Sequence, residues 1–91
     1  IYMANLSVSG CAAAIEQAGK KGAIRLICHD LNESVRQLLL RGSIDFTIPQ
    51  NLRQQGYGPL ILLRDVLRRK AAPDAARFNR QIDIVCSDNL P

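Results

Sequence analysis

AIRLIC, residues 23–28, is apolar at every position except Arg25. A strand with one wet face alternates apolar and polar residues. A strand covered on both faces reads as a nearly continuous apolar run, which is typical of parallel sheets. The flanking segments fit a parallel sheet. Upstream, residues 1–5 form a short apolar strand, and Val8, Cys11, Ala12, Ile15 and Ala18 then recur at helical spacing. Ser7 or Ser9 is positioned to cap that helix. Gly19 and Gly22 end it, with Lys20 and Lys21 in the last turn. Downstream, Asp30 or Asn32 opens a second helix with the stripe Val35, Leu38 and Leu39, closed by Arg41 and Gly42.

Residues 44–48 form a third strand. Ile44, Phe46 and Ile48 point one way and Asp45 and Thr47 the other, as in a half-covered strand. Pro49 ends the pairing because it has no N–H to donate. Gln50 or Asn51 then opens a third helical segment, with Leu52, Gly56, Leu60, Leu63 and Leu67 on one stripe and Val66 beside it. Pro59 either kinks this helix or marks a start near Gly58. Residues 71–79, with Pro73, read as a loop. Residues 81–86 read as a fourth strand with Ile82, Ile84 and Cys86 on one face. The order β-α-β-α-β-α-β predicts an α/β fold: a mainly parallel sheet of about four strands with three helices and right-handed crossovers.

Composition sets bounds on function. The 91 residues suffice for one small domain, and 47% apolar with 4% aromatic content implies an aliphatic core. No apolar run approaches the roughly 20 residues needed to span a bilayer, and no signal-peptide pattern is present, so no membrane association is expected. The chain begins at Ile1 within a strand, and we read it as a piece of a longer protein. The net charge of +4 draws on Arg64, Arg68, Arg69 and Lys70. Without an aromatic platform or a DNA-reading motif, these cations read as a solvated helix end. Cys11, Cys28 and Cys86 are odd in number and widely spaced, and His29 is the lone imidazole. This excludes a zinc site of usual spacing and fits reduced thiols in the cytoplasm.

In open α/β sheets, ligands sit beyond the carboxyl ends of the strands. Those ends carry Asn5, His29 with Asp30, and Gln50 with Asn51. A Cys28–His29 nucleophile pair is disfavoured, because adjacent strand residues diverge. The turn SVSG, residues 7–10, has one glycine where a dinucleotide fingerprint needs three. No catalysis and no cofactor are expected. Asn5, Asp30 and Gln50 instead form a set suited to hydroxyl groups. A carboxylate accepts from two vicinal hydroxyls, and an amide both donates and accepts. The same three residues also suit helix capping, and the two roles are compatible.

Five stretches resemble one family in order and spacing: ANLSVSGCAAAI, LICHDLN, GSIDFTIPQ, QQGYGPLILL and IDIVCSDNLP. Together they resemble the C-terminal part of the effector-binding domain of LacI-type transcription regulators, a periplasmic-binding-protein-like type I fold. The resemblance implies that Asp30 binds sugar hydroxyls and that Gln50 lies at a hinge and contacts ligand. The family's Asn-Asp pair is altered, with Ala4 and Asn5 in its place. The resemblance also implies that residues 1–50 and 80–91 belong to the C-terminal lobe and residues 51–79 to the other lobe. The small effector, a sugar or related polyol, would lie in an interlobe cleft. DNA would be bound through a headpiece absent from this chain. The third-helix stripe then lacks its usual cover, so it is expected to fold back or to pack in a second copy as a homodimer. The rival readings are a periplasmic sugar carrier and a nucleotide-using enzyme fragment.

Overall fold

The structure, a computed structural model, describes residues 1–69, 72 and 82–91. The expected 71–79 loop lies outside the described residues apart from Ala72, as do Lys70 and Gln81. The chain divides into two units, Ile1–Pro49 with Asp83–Pro91, and Gln50–Ile82.

In the first unit, β1 (Tyr2–Met3), β2 (Ile27–His29) and β3 (Phe46–Ile48) form a parallel sheet in the order β1-β2-β3. Met3 lies opposite Cys28, and Cys28 opposite Thr47. The neighbouring row is Tyr2, Ile27 and Phe46, with His29 opposite Ile48 at the strand ends. Helices α1 (Val8–Gln17) and α2 (Glu33–Leu40) follow β1 and β2 and pack against each other. Their apolar stripes, Val8, Ala12 and Ile15 with Val35 and Leu39, join Leu26, Cys28, Ile44 and Val85 in one core. Asn32 caps α2 by accepting the Val35 N–H at 2.9 Å. Ser7 occupies the α1 cap position without a side-chain bond. Gly19, Gly22 and Gly42 take positive φ where the helices and their turns end.

All three strands are shorter than expected, β1 covering two of the five residues 1–5. Residues 20–24 form a turn in which the Ala23 and Ile24 N–H groups donate to the Lys20 carbonyl, so β2 starts only at Ile27. Before β3, Asp45 accepts from Arg25 Nη1 at 2.7 Å and from the Leu26 N–H at 2.8 Å, fixing the strand entry through a side chain. The facing of β3 is a further correction. Thr47, expected on the open side, is 0% exposed, whereas Phe46 and Ile48 are half-buried.

The expected fourth strand contracts to a single antiparallel bridge between Val85 and Thr47, with N···O distances of 2.8 and 2.9 Å. Its phase is also opposite: Val85 is buried, while Ile82 and Ile84 are exposed. Asn89 turns the chain away by accepting the Cys86 N–H at 2.7 Å and donating to the Ile84 carbonyl at 2.9 Å. Leu90 then packs on the core, and Arg36 donates to the Pro91 carbonyl at 2.6 Å.

The second unit is built on α3 (Leu52–Arg69), which is continuous through Pro59 and therefore does not start near Gly58. Asn51 caps it by accepting the Gln54 N–H at 3.0 Å. Leu52, Tyr57, Leu60, Leu63 and Leu67 are exposed. Arg64 pairs with Asp65 at 3.0 Å. No described helix is long and apolar enough to cross a membrane.

Candidate functional site

Two of the three candidate residues follow adjacent strands of the sheet. Met3 and Cys28 are ladder partners, and Asn5 and Asp30 each follow that pair by two residues, past the carboxyl ends of adjacent parallel strands. Gln50 follows β3 by two residues and is the first residue of the second unit. It is exposed, and its carbonyl accepts the Leu52 N–H at 2.8 Å.

Asn5 is exposed, and its Oδ1 accepts the Ser7 N–H at 3.0 Å, forming the turn that leads into α1. Its side-chain amide N–H groups make no hydrogen bond among the described residues. Asp30 does not cap α2, which is the role of Asn32. It has φ 71°, the one described non-glycine residue with positive φ. An L-residue in this region is strained by roughly 1–2 kcal/mol, with Asp among the better tolerated types. The backbone holds it there at both ends. The Asp30 N–H donates to the Ile48 carbonyl at 3.0 Å, and the Asp30 carbonyl accepts from Thr47 Oγ1 at 2.5 Å. The half-buried carboxylate has no hydrogen-bond partner among the described residues. Backbone strain around an unpaired carboxylate at a strand end is typical of residues placed for contact with a ligand.

The neighbouring groups argue against nucleophilic chemistry. Burial pushes the Cys28 thiol up, a hydrogen bond with Thr47 opposes that shift, and the Asp30 charge adds to it, leaving the pKa above its ordinary value. A fully buried thiol held protonated is a core side chain. His29 faces the other way, with Nε2 hydrogen-bonded to the Tyr2 hydroxyl and the two rings edge-on, 5.3 Å between centroids. Its Nδ1 is buried without a partner among the described residues. Neither the Tyr2–His29 pair nor the buried hydroxyl of Thr47 is evident from the sequence. The signal for Thr47 was its position between β-branched and aromatic neighbours just before Pro49. A period-two reading assigns a polar residue there to the open face.

A surface groove of about 510 Å³ along α2 is lined by Ser9, Glu33, Ser34, Gln37, Leu38 and Arg41, and none of the candidate residues contributes to it. Among the described residues, no three metal-ligating side chains come together.

No family model matches this chain, and no curated protein matches it. Two solved structures do. GanP, a glucose-galactose binding protein from Geobacillus stearothermophilus, aligns over 99% of this chain with TM-score 0.83 and 20% identity. A chain of the XylFII–LytSN complex aligns over 98% with TM-score 0.75 and 18% identity. The alignments span 32% and 30% of those proteins, so the chain corresponds to about a third of their length. The class that the fold defines is therefore periplasmic-binding-protein-like: a small α/β unit with a parallel sheet and three helices, matching a part of such proteins.

Proposed function

We propose that this chain forms one wall of a small-molecule binding domain that takes a neutral sugar or related polyol. The observation that carries this reading is Asp30, a half-buried carboxylate without a hydrogen-bond partner among the described residues, on a left-handed backbone just past β2, with Asn5 just past the adjacent strand β1. Asp30 accepts from two vicinal hydroxyls, and Asn5 donates to a third. Gln50 keeps the ligand-contact role that the family resemblance gives it. The glucose-galactose binding described for GanP supports the hexose class.

Within that class, our reading is the effector-binding part of a cytoplasmic LacI-type regulator. In the parent protein, ligand binding would shift a conformational equilibrium coupled to DNA affinity, and the parent would act as a homodimer. Three unpaired cysteines support a reducing compartment. The chain is not proposed to be an enzyme. Isothermal titration of the parent protein that contains this chain with D-glucose, D-galactose and ATP tests the ligand class. Hexose binding abolished by Asp30→Asn supports it, and ATP binding with no response to hexose would overturn it. Coding sequence upstream of Ile1 separates regulator from carrier: a helix-turn-helix supports the first and a secretory signal the second.

A further inference from the structure

We propose that Thr47 is a positioning residue for Asp30. Its buried hydroxyl holds the Asp30 backbone in the left-handed conformation that presents the carboxylate at the strand rim. The ligand part of this inference rests on the sugar-binding reading above, whereas the backbone part does not.

Three observations converge. Thr47 is fully buried on the helix-covered face of the sheet, where an apolar residue would ordinarily pack. Its hydroxyl lies 2.5 Å from the Asp30 carbonyl oxygen and 3.2 Å from that of Cys28, so its single proton is shared unequally and points mainly to Asp30. Its own backbone is clamped by both hydrogen bonds to Val85. The donor is thus fixed from the far side before it reaches Asp30. A left-handed Asp persists only when its surroundings over-determine it. Here the Ile48 carbonyl fixes the Asp30 N–H and Thr47 fixes its carbonyl, so both peptide planes flanking Cα are held. Val85 belongs to the C-terminal segment that re-enters this unit after residues 50–82. The returning segment therefore acts on the rim through Thr47.

The test compares Thr47→Val, which keeps the shape and removes the hydroxyl, with Thr47→Ser, which keeps the hydroxyl. Both are made in the full chain, and Thr47→Ala replaces Thr47→Val should the latter fail to fold. NMR backbone couplings and shifts of Asp30 report the sign of φ without any ligand. Titration of the parent protein carrying the same substitutions with D-galactose and D-glucose reports binding. We expect Thr47→Val to release Asp30 from positive φ and to weaken hexose binding about tenfold, the loss of one hydrogen bond's worth of positioning. Thr47→Ser should match the parent in both readouts, although it loses a buried methyl group. A Thr47→Val chain that keeps Asp30 at positive φ would overturn the proposal. If the parent protein binds neither hexose, the sugar reading fails, and the NMR comparison alone still decides whether Thr47 positions Asp30.

Discussion

Helices α2 and α3 carry similar apolar stripes and meet different fates. In α2, Val35 and Leu39 are buried and Leu38 packs beside them, so eight residues suffice to close a core. In α3, eighteen residues carry Leu52, Leu60, Leu63 and Leu67, and all four are exposed. Helical periodicity shows which side of a helix is apolar, but it does not show what that side meets. The α2 stripe faces β2 because the parallel crossover between β2 and β3 forces the connecting helix onto the sheet. The α3 stripe follows Pro49, where the sheet has ended, and belongs to a separate unit. The lesson is that burial in this chain follows topology rather than composition.

The largest test of that contrast is truncation of Leu39, which is 1% exposed. Leu39→Ala should cost about 2–5 kcal/mol in urea unfolding, since a filled core site becomes a cavity. Next comes the strained rim. Asp30→Val should destabilise the chain by about 1–3 kcal/mol, because a β-branched residue is poorly tolerated at positive φ. Asp30→Gly should retain stability while losing hexose affinity, which would separate backbone strain from carboxylate function. Removing the α2 cap with Asn32→Ala should cost about 1 kcal/mol, measured in the same unfolding series.

A smaller effect concerns pH. Partial burial raises the Asp45 pKa, but bonds from the Leu26 N–H and Arg25, with the nearby positive charges, outweigh it and hold the carboxyl below its ordinary value. A depressed folded pKa contributes stability that is present above the unfolded carboxylate value and lost as pH falls through the folded one. Acid unfolding of Asp45→Asn should therefore show a flatter slope below the ordinary aspartate range than the parent. The smallest effect is expected at Leu63, which is 55% exposed. Leu63→Gln should change unfolding free energy by less than about 0.5 kcal/mol. A loss as large as that of Leu39→Ala would mean that the α3 stripe is covered in solution, and it would remove the contrast between the two helices. Analytical ultracentrifugation of the same variant would show whether a second copy provides that cover.

Much of the fold is legible in the sequence. AIRLIC, with a helical stripe on either side, implied parallel strands and right-handed crossovers because continuous apolar strands need cover that only crossover helices supply. Glycines at 19, 22 and 42 marked the helix ends because only they enter the left-handed region easily. That Asn5 and Asp30 follow the first and second strands was legible too, as strand order can be counted from the pattern. Gln50 was legible as a strand-end residue, but its assignment to the second unit was not.

Other features were settled only in three dimensions. Strand limits at Ile27 and Phe46 depended on a local turn, in which the Lys20 carbonyl accepts from Ala23 and Ile24, and on a side-chain clamp from Asp45 to the distant Leu26 N–H. Val85 forms one bridge instead of a strand because Asn89 captures the backbone on either side of it. The facing of Thr47 ran against its polarity, since the Cys28 carbonyl in the neighbouring strand and the Asp30 carbonyl just past it satisfy its hydroxyl inside the core. The left-handed Asp30 was likewise invisible, because a sequence permits a strained backbone angle and tertiary hydrogen bonds select it. The residues themselves determined the periods of the elements, their order and their ends, all of which depend on neighbours along the chain. Pairing across the sheet decided which polar groups are buried, which strand residue bridges and which backbone is strained, because those depend on partners that only folding brings within hydrogen-bond reach.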